Sequence, residues 1–239
     1  MAVRLIKHGK VVNIDSNEKK NKTKYRYNFL FIIPILILCF VLYPIIKFNN
    51  TKKEYKYMIT QYLINSGYCL TNSGTNIFLG GSETLMTNDK AFELYIKGIE
   101  QSYNYFNIDK MFSLSLGFAE TKYNYLECKP RDGSGLYQIM FEIWKGTEIT
   151  NNGCKLKLTN RSQLFNPYEN TLFYSKIFDY YLKKNGNDYG NGIYEYNGTH
   201  YKNFINKSSI FQNRKSHYIL EVMSGYNFYS QLNNKRKKL

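Results

Sequence analysis

Residues Phe29 to Ile46, FLFIIPILILCFVLYPII, form an 18-residue run with no charged or strongly polar side chain. A bilayer core about 30 Å thick asks for about 20 apolar residues in a helix, so the run is just long enough to cross it. A surface helix of a soluble domain would show one polar face, and this run has none. Pro34 and Pro44 disfavour a long soluble helix, yet proline is tolerated in membrane spans. Tyr25, Tyr27 and Tyr43 stand near the ends, where an interfacial aromatic belt would place them. The run predicts a single N-terminal transmembrane helix, with Cys39 a lipid-facing or packed side chain.

The flanks give the orientation. Residues 1–28 carry eight Lys/Arg against Asp15 and Glu18, so they are expected to form a basic, poorly ordered cytoplasmic tail. Everything after Ile46 is then exported, as a single-pass protein of the inner (cytoplasmic) membrane with an extracytoplasmic or periplasmic domain. A cleaved signal peptide would want a shorter leader and a small-x-small site after the run, and an uncleaved anchor fits better. The net charge of +15 invites a nucleic-acid reading. The excess sits largely in residues 1–28 and in Lys235-Arg-Lys-Lys238, with no dense basic stripe between. No nucleic-acid partner is expected, and an anionic cell envelope suits the same charge. Cys69, Cys128 and Cys154 would be exported, where disulfides can form; a Cys128–Cys154 staple and free thiols both remain open. His8, His200 and His217 are scattered and no Cys/His spacing fits zinc, so neither metal nor cofactor is expected.

Residues 47–88 read as a juxtamembrane connector: a polar stretch, a short amphipathic piece from Tyr55 to Ile64, then a Gly/Ser/Thr/Asn-rich segment. From Asp89 the pattern turns helical. Phe92, Tyr95, Ile96 and Ile99 recur at three- and four-residue spacing behind Asn88 or Asp89 as a cap. Asn107-Ile-Asp109 opens a second helix through Met111, Phe112, Leu114, Leu116 and Phe118 to Glu120, apolar on several faces and so buried. Residues 128–135 are turn-like, with at most a small hairpin around 125–135, and 146–162 read as polar loop. Asn166-Pro167 starts a helix to about Lys184, and 193–204 and 215–223 supply the last helices. Residues 226–239 read as a basic C-terminal tail.

Glu120 is the residue that carries chemistry. An ionised acid at the end of an apolar segment is costly to bury unless paired or neutralised. Such a site holds a carboxylic acid ready to donate a proton, as glycosidic bond cleavage requires. Four segments follow in order: Glu120-Thr-Lys-Tyr-Asn124, Gly135-Leu-Tyr-Gln-Ile-Met140, Asn166-Pro-Tyr-Glu-Asn170 and Glu195-Tyr-Asn-Gly-Thr199. Together they make residues 89–225 resemble the soluble lytic transglycosylase domain of the lysozyme-like superfamily.

The resemblance implies an α+β lysozyme-like fold, predominantly α-helical, and cleavage of the MurNAc–GlcNAc β-1,4 bond of peptidoglycan with formation of 1,6-anhydromuramic acid. It makes Glu120 the catalytic acid and then base, and Thr121 the stand-in for the family's usual Ser. Gln138 would lie in the cleft, with Tyr196 and Asn197 on its opposite wall. Tyr137 replaces the usual Met and could stack on a sugar; Asn170 is expected to be structural. Asp132 is the candidate second acid should the enzyme be a hydrolytic lysozyme instead. An inactive glycan-binding scaffold of an envelope complex is the remaining alternative. The implied partners are peptidoglycan strands, the membrane through 29–46, and an envelope-spanning machine.

Overall fold

The computed structural model describes the backbone of residues 4–7, 10–13, 17–67, 84–128, 133–151, 154–198 and 209–238. Side chains are described for 37–67, 84–128, 133–151, 155–197 and 217–238. Within these limits the protein is mostly helical, with three small two-stranded antiparallel hairpins. Two compact units divide the chain at Thr51 and Lys52.

The first unit holds a hairpin, β1 (Arg4–Lys7) with β2 (Lys10–Asn13), and the start of α1 (Asn17–Asn65). The expectation of a poorly ordered tail over 1–28 therefore gives way to regular structure at these positions. The apolar run 29–46 lies in α1, where the side chains of Ile37, Leu38, Phe40, Val41, Leu42, Tyr43, Ile45 and Ile46 are exposed. Among the described residues no helix is long and apolar enough to cross a membrane. The side chains of 29–36, the first part of the run, lie outside the described residues.

The second unit begins within α1, whose last stretch buries Tyr55, Met58, Ile59, Tyr62 and Leu63 at three- and one-residue steps, the stripe of a core-facing helix. Residues 52–65, expected in a connector, are thus part of the domain core. Then come α2 (Asp89–Phe106) and α3 (Lys110–Thr121). The Asn88 side chain caps α2 by accepting from the Ala91 amide at 3.0 Å. Asp109 caps α3 by accepting from the Met111 and Phe112 amides at 2.8 and 3.2 Å, which satisfies amides that a helix start leaves orphaned. All eight residues from Met111 to Phe118 are buried, so α3 is the central helix that its all-round apolarity predicts.

A miniature hairpin, β3 (Gly133–Ser134) with β4 (Ile139–Met140), leads into a single helical turn, α4 (Phe141–Trp144). The polar stretch expected as loop over 146–162 instead contains the larger hairpin, β5 (Glu148–Asn151) with β6 (Cys154–Lys157). Two residues of the favoured two-residue-turn type, Asn152-Gly153, separate these strands in sequence. Ile149 is buried at the hairpin's inner face. A 3-10 turn (Arg161–Phe165), closed by a capping box between Asn160 and Gln163, precedes α5 (Pro167–Lys184), capped by Asn166 with Pro167 in its first turn. The chain ends with α6 (Tyr189–Gly198) and α7 (Ser209–Arg236). Residues 226–236, expected as tail, continue α7, and Tyr229 within them is fully buried.

Two close helix pairs organise this unit, α2 with α5 and α3 with α7. Small residues permit both. A Cβ on Gly98 of α2 would stand 2.8 Å from the Thr171 Cβ of α5, and one on Gly225 of α7 would stand 2.2 Å from the Ser115 hydroxyl of α3. Ser115 uses that closeness to donate to the Val222 carbonyl at 2.6 Å.

Candidate active site

Glu120 stands in the last turn of α3, half-exposed, two residues beyond the eight buried ones. Just beyond it the chain takes two consecutive left-handed residues, Lys122 (φ 54°) and Tyr123 (φ 67°). For non-glycine residues this conformation costs on the order of 1 kcal/mol or more each and persists only where surroundings enforce it. The enforcement is visible. The Lys122 amide closes the helix on the Phe118 carbonyl at 2.8 Å. Tyr123 drives its ring into the core, donates to the Leu114 carbonyl at 3.0 Å and shares a 2.5 Å hydrogen bond with the Tyr229 hydroxyl.

The opposing element is α7. The Tyr218 hydroxyl donates to Glu120 Oε1, and one turn further on Glu221 pairs with Lys122. Burial first, and then the Glu120 charge and its hydrogen bond, push the Tyr218 phenol well above its ordinary value. The phenol therefore remains a donor at neutral pH. Tyr196 of α6 feels Glu120 as well: burial and then the carboxylate's charge raise its phenol in the same direction. Its hydroxyl donates to the Tyr137 carbonyl at 2.7 Å. Two neutral phenols thus act on Glu120, one of them bonded to it directly.

The residues expected to bind substrate fare differently. Thr121 is buried, and its hydroxyl donates to the Gly117 and Leu136 carbonyls at 3.3 and 3.1 Å; it ties the end of α3 to the following turn. Tyr137 was expected to stack on a sugar. It is fully buried instead, its ring stacked on Tyr174 at 3.9 Å between centroids and its hydroxyl donating to the Ser113 carbonyl at 3.0 Å. An aromatic ring flanked by α3 and α5 gains more from burial than a solvent-facing ring would. Gln138 is buried too, with φ 52°. Its Nε2 donates to the Gly135 carbonyl at 2.8 Å and the Glu127 carbonyl at 3.3 Å, while its Oε1 is buried without a partner. Its visible work is to hold the turn. Asn197 is half-exposed at the end of α6.

Asn170 has the structural role expected of it. Fully buried, it accepts from the Tyr137 amide at 2.9 Å and donates to the Ser134 carbonyl at 3.2 Å, clamping the 133–140 turn onto α5. Gly135 makes that clamp possible: at φ 72° a Cβ there would stand 1.8 Å from the Leu164 carbonyl oxygen.

Other acids are engaged elsewhere. Glu127 accepts from the Asn124 amide group at 3.3 Å and Glu142 pairs with Lys145 at 2.8 Å. Asp132, the candidate second acid, lies outside the described residues, as do Thr199, His200 and Cys69. Cys128 is an exposed free thiol 3.4 Å from the Arg161 guanidinium, so it forms no staple to Cys154. Among the described residues no group of three or more His, Cys, Asp or Glu side chains could hold a metal. A groove of about 540 Å³ lies at the other end of α3, between the ends of α2 and α5, lined by Tyr105, Asn107, Asp179, Lys183 and Tyr189 among others.

Tyr218 is the participant that sequence reasoning missed. It is one of 24 tyrosines, in a segment of ordinary composition, and only the packing of α7 on α3 brings it to Glu120. Compared with known proteins, the chain matches no family model and no curated protein.

Proposed function

We propose that this protein is a membrane-anchored lytic transglycosylase that cuts the MurNAc–GlcNAc β-1,4 bond of peptidoglycan, with Glu120 as the acid and then the base. The observation that carries the reading is the hydrogen bond from Tyr218 to Glu120, at the half-exposed end of an otherwise buried helix. A carboxyl group held by a neutral phenol is oriented and still open to solvent on one side. In its protonated form it donates to the glycosidic oxygen as the bond to C1 breaks. The muramic acid C6 hydroxyl then attacks C1, and the Glu120 carboxylate takes that hydroxyl's proton. One C–O bond breaks, one forms, and no water is consumed. The Tyr218 hydrogen bond holds the carboxyl group in place through both steps.

The anchor reading is supported by the exposed apolar side chains from Ile37 to Ile46, Phe40 being 79% exposed, which a lipid environment would cover. It makes 29–46 the span, with the domain beyond Ile46 acting on murein near the membrane. A partner envelope machine would fit that position.

A second reading has its own observation. Thr121, Tyr137 and Gln138 all turn their polar groups inward, as an inactive scaffold that keeps the fold and loses the cleft would allow. Digestion of purified murein separates the readings. Wild-type protein should release anhydromuropeptides, and Glu120→Gln should release none while keeping its helical circular dichroism. Products ending in reducing muramic acid would instead indicate hydrolysis with a second acid, and undiminished cleavage by the variant would remove Glu120 from the mechanism.

A further inference from the structure

The end of α7 carries Lys235, Arg236, Lys237 and Lys238, all exposed, and no acidic residue follows Glu221 in the chain. Cations are favoured at a helix C-terminus by its dipole, but that does not explain where this cluster is held. Its place is set by α1. The Tyr229 ring packs 4.8 Å from that of Tyr62, and seven residues later the Arg236 guanidinium lies 5.1 Å from the centre of the Tyr57 ring. Along this contact α7 runs antiparallel to the 52–65 stretch of α1, so its basic end comes to the Lys52 end of the domain. Lys52 and Lys56 are engaged there by Glu93 and Asp89, and Glu54 offsets Lys53 in sequence. Lys90 is exposed beside them, and the densest run of positive charge is that of α7. Lys52 follows Ile46 by six residues, a length that reaches about 20 Å even when fully extended.

Resting on the membrane-anchored reading above, we propose that Lys235–Lys238 form a second membrane contact, docking on anionic phospholipid headgroups around the point where the chain enters the bilayer. The partly exposed Tyr57 ring beneath Arg236 supplies the aromatic element that suits headgroup depth. One basic side chain near an anionic surface gains about five-fold in occupancy, and four held together act in concert. A domain tethered at one end of α1 and docked through α7 is restrained at both elements, which limits its reach to the wall layer next to the membrane.

The test uses the full chain reconstituted into phosphatidylcholine vesicles and into mixed phosphatidylcholine–phosphatidylglycerol vesicles, with amide hydrogen exchange followed over residues 233–238. Exchange there should be at least about five-fold slower on the anionic vesicles, and the difference should vanish at high salt, which screens exposed charge. The K235Q/R236Q/K237Q/K238Q chain should exchange equally on both. Equal exchange of the wild-type chain on the two surfaces overturns the proposal. So does equal protection by soluble heparin on zwitterionic vesicles, which would mark a general polyanion site. Failure of the chain to float with zwitterionic vesicles would overturn the anchor itself, a result distinguishable from loss of the α7 contact alone.

Discussion

Tyr95, Tyr123, Tyr137, Tyr174 and Tyr229 are fully buried, and burial, ahead of any neighbour, pushes each phenol well above its ordinary value. In the unfolded chain the same groups ionise at about 10. A raised folded value means that the stability they contribute is intact below about pH 10 and is lost as pH climbs toward the folded values. At about pH 11, ionisation favours the unfolded state by about 1.4 kcal/mol per phenol, or about 7 kcal/mol for five. That lies within the range of about 5–15 kcal/mol that holds a domain together, so the unit should unfold near pH 11. Exposed ion pairs such as Lys157–Glu148 contribute little to this balance. The assay follows tyrosinate absorbance and helical circular dichroism together. The buried five should ionise in one step, together with loss of helix. Complete tyrosine ionisation with helicity unchanged would refute both the burial and the linkage argument.

Three substitutions probe the site and its supports. Tyr218→Phe removes a hydrogen bond to a charged group, worth about 1.5–3 kcal/mol, so murein cleavage should fall about ten-fold or more while the thermal midpoint drops by several degrees with the fold retained; unchanged turnover would mean the phenol is a bystander. Gly135→Ala combines a left-handed penalty of about 1 kcal/mol with a Cβ 1.8 Å from the Leu164 carbonyl oxygen, an overpacking cost of about 1–3 kcal/mol. Denaturant unfolding should show a loss of at least about 2 kcal/mol. Tyr174 has a fully buried hydroxyl without a hydrogen-bond partner; Ser113 is near enough to act on its titration but out of bonding geometry. Tyr174→Phe should therefore be neutral or stabilising by about 1 kcal/mol, and a destabilised variant would show that the Ser113 contact is a true hydrogen bond.

The sequence makes the local parts of this fold legible and leaves the long-range parts dark. Asn88, Asp109 and Asn166 could be read as helix starts because a cap acts on amides two and three residues away. The all-round apolarity of 111–118 announces a central helix for the same local reason. The β5–β6 hairpin is a partial exception: Asn152-Gly153 and the Lys155-Leu156-Lys157 alternation are local signals of it, but each strand is only four residues long within a lysine-rich polar stretch. What local patterns cannot show is which way a side chain turns once helices meet. The family resemblance makes Tyr137 and Gln138 cleft residues. They become core because Gly135 lets the turn close against Leu164 and Asn170, which leaves no room for the ring except between α3 and α5.

Glu120 shows both sides of this limit. Its place at the end of a buried helix follows from ten residues of sequence, but its partner lies 98 positions away. That partner is fixed by two contacts that look unrelated to chemistry: the absence of a side chain at Gly225 and the Ser115–Val222 hydrogen bond, which bring α7 close to α3. Four residues before Val222 on the same helix stands Tyr218, one helical turn along the same face. A small residue two turns along α7 from Tyr218 thus decides whether the phenol reaches the carboxylate. Gly225→Ala should lower murein cleavage together with stability, and Ser115→Ala in the same chain should restore part of both by removing the clashing hydroxyl. Were Gly225→Ala to leave cleavage intact while stability fell, the α3–α7 approach would be structural only, and the Tyr218–Glu120 contact would have to be held by some other means.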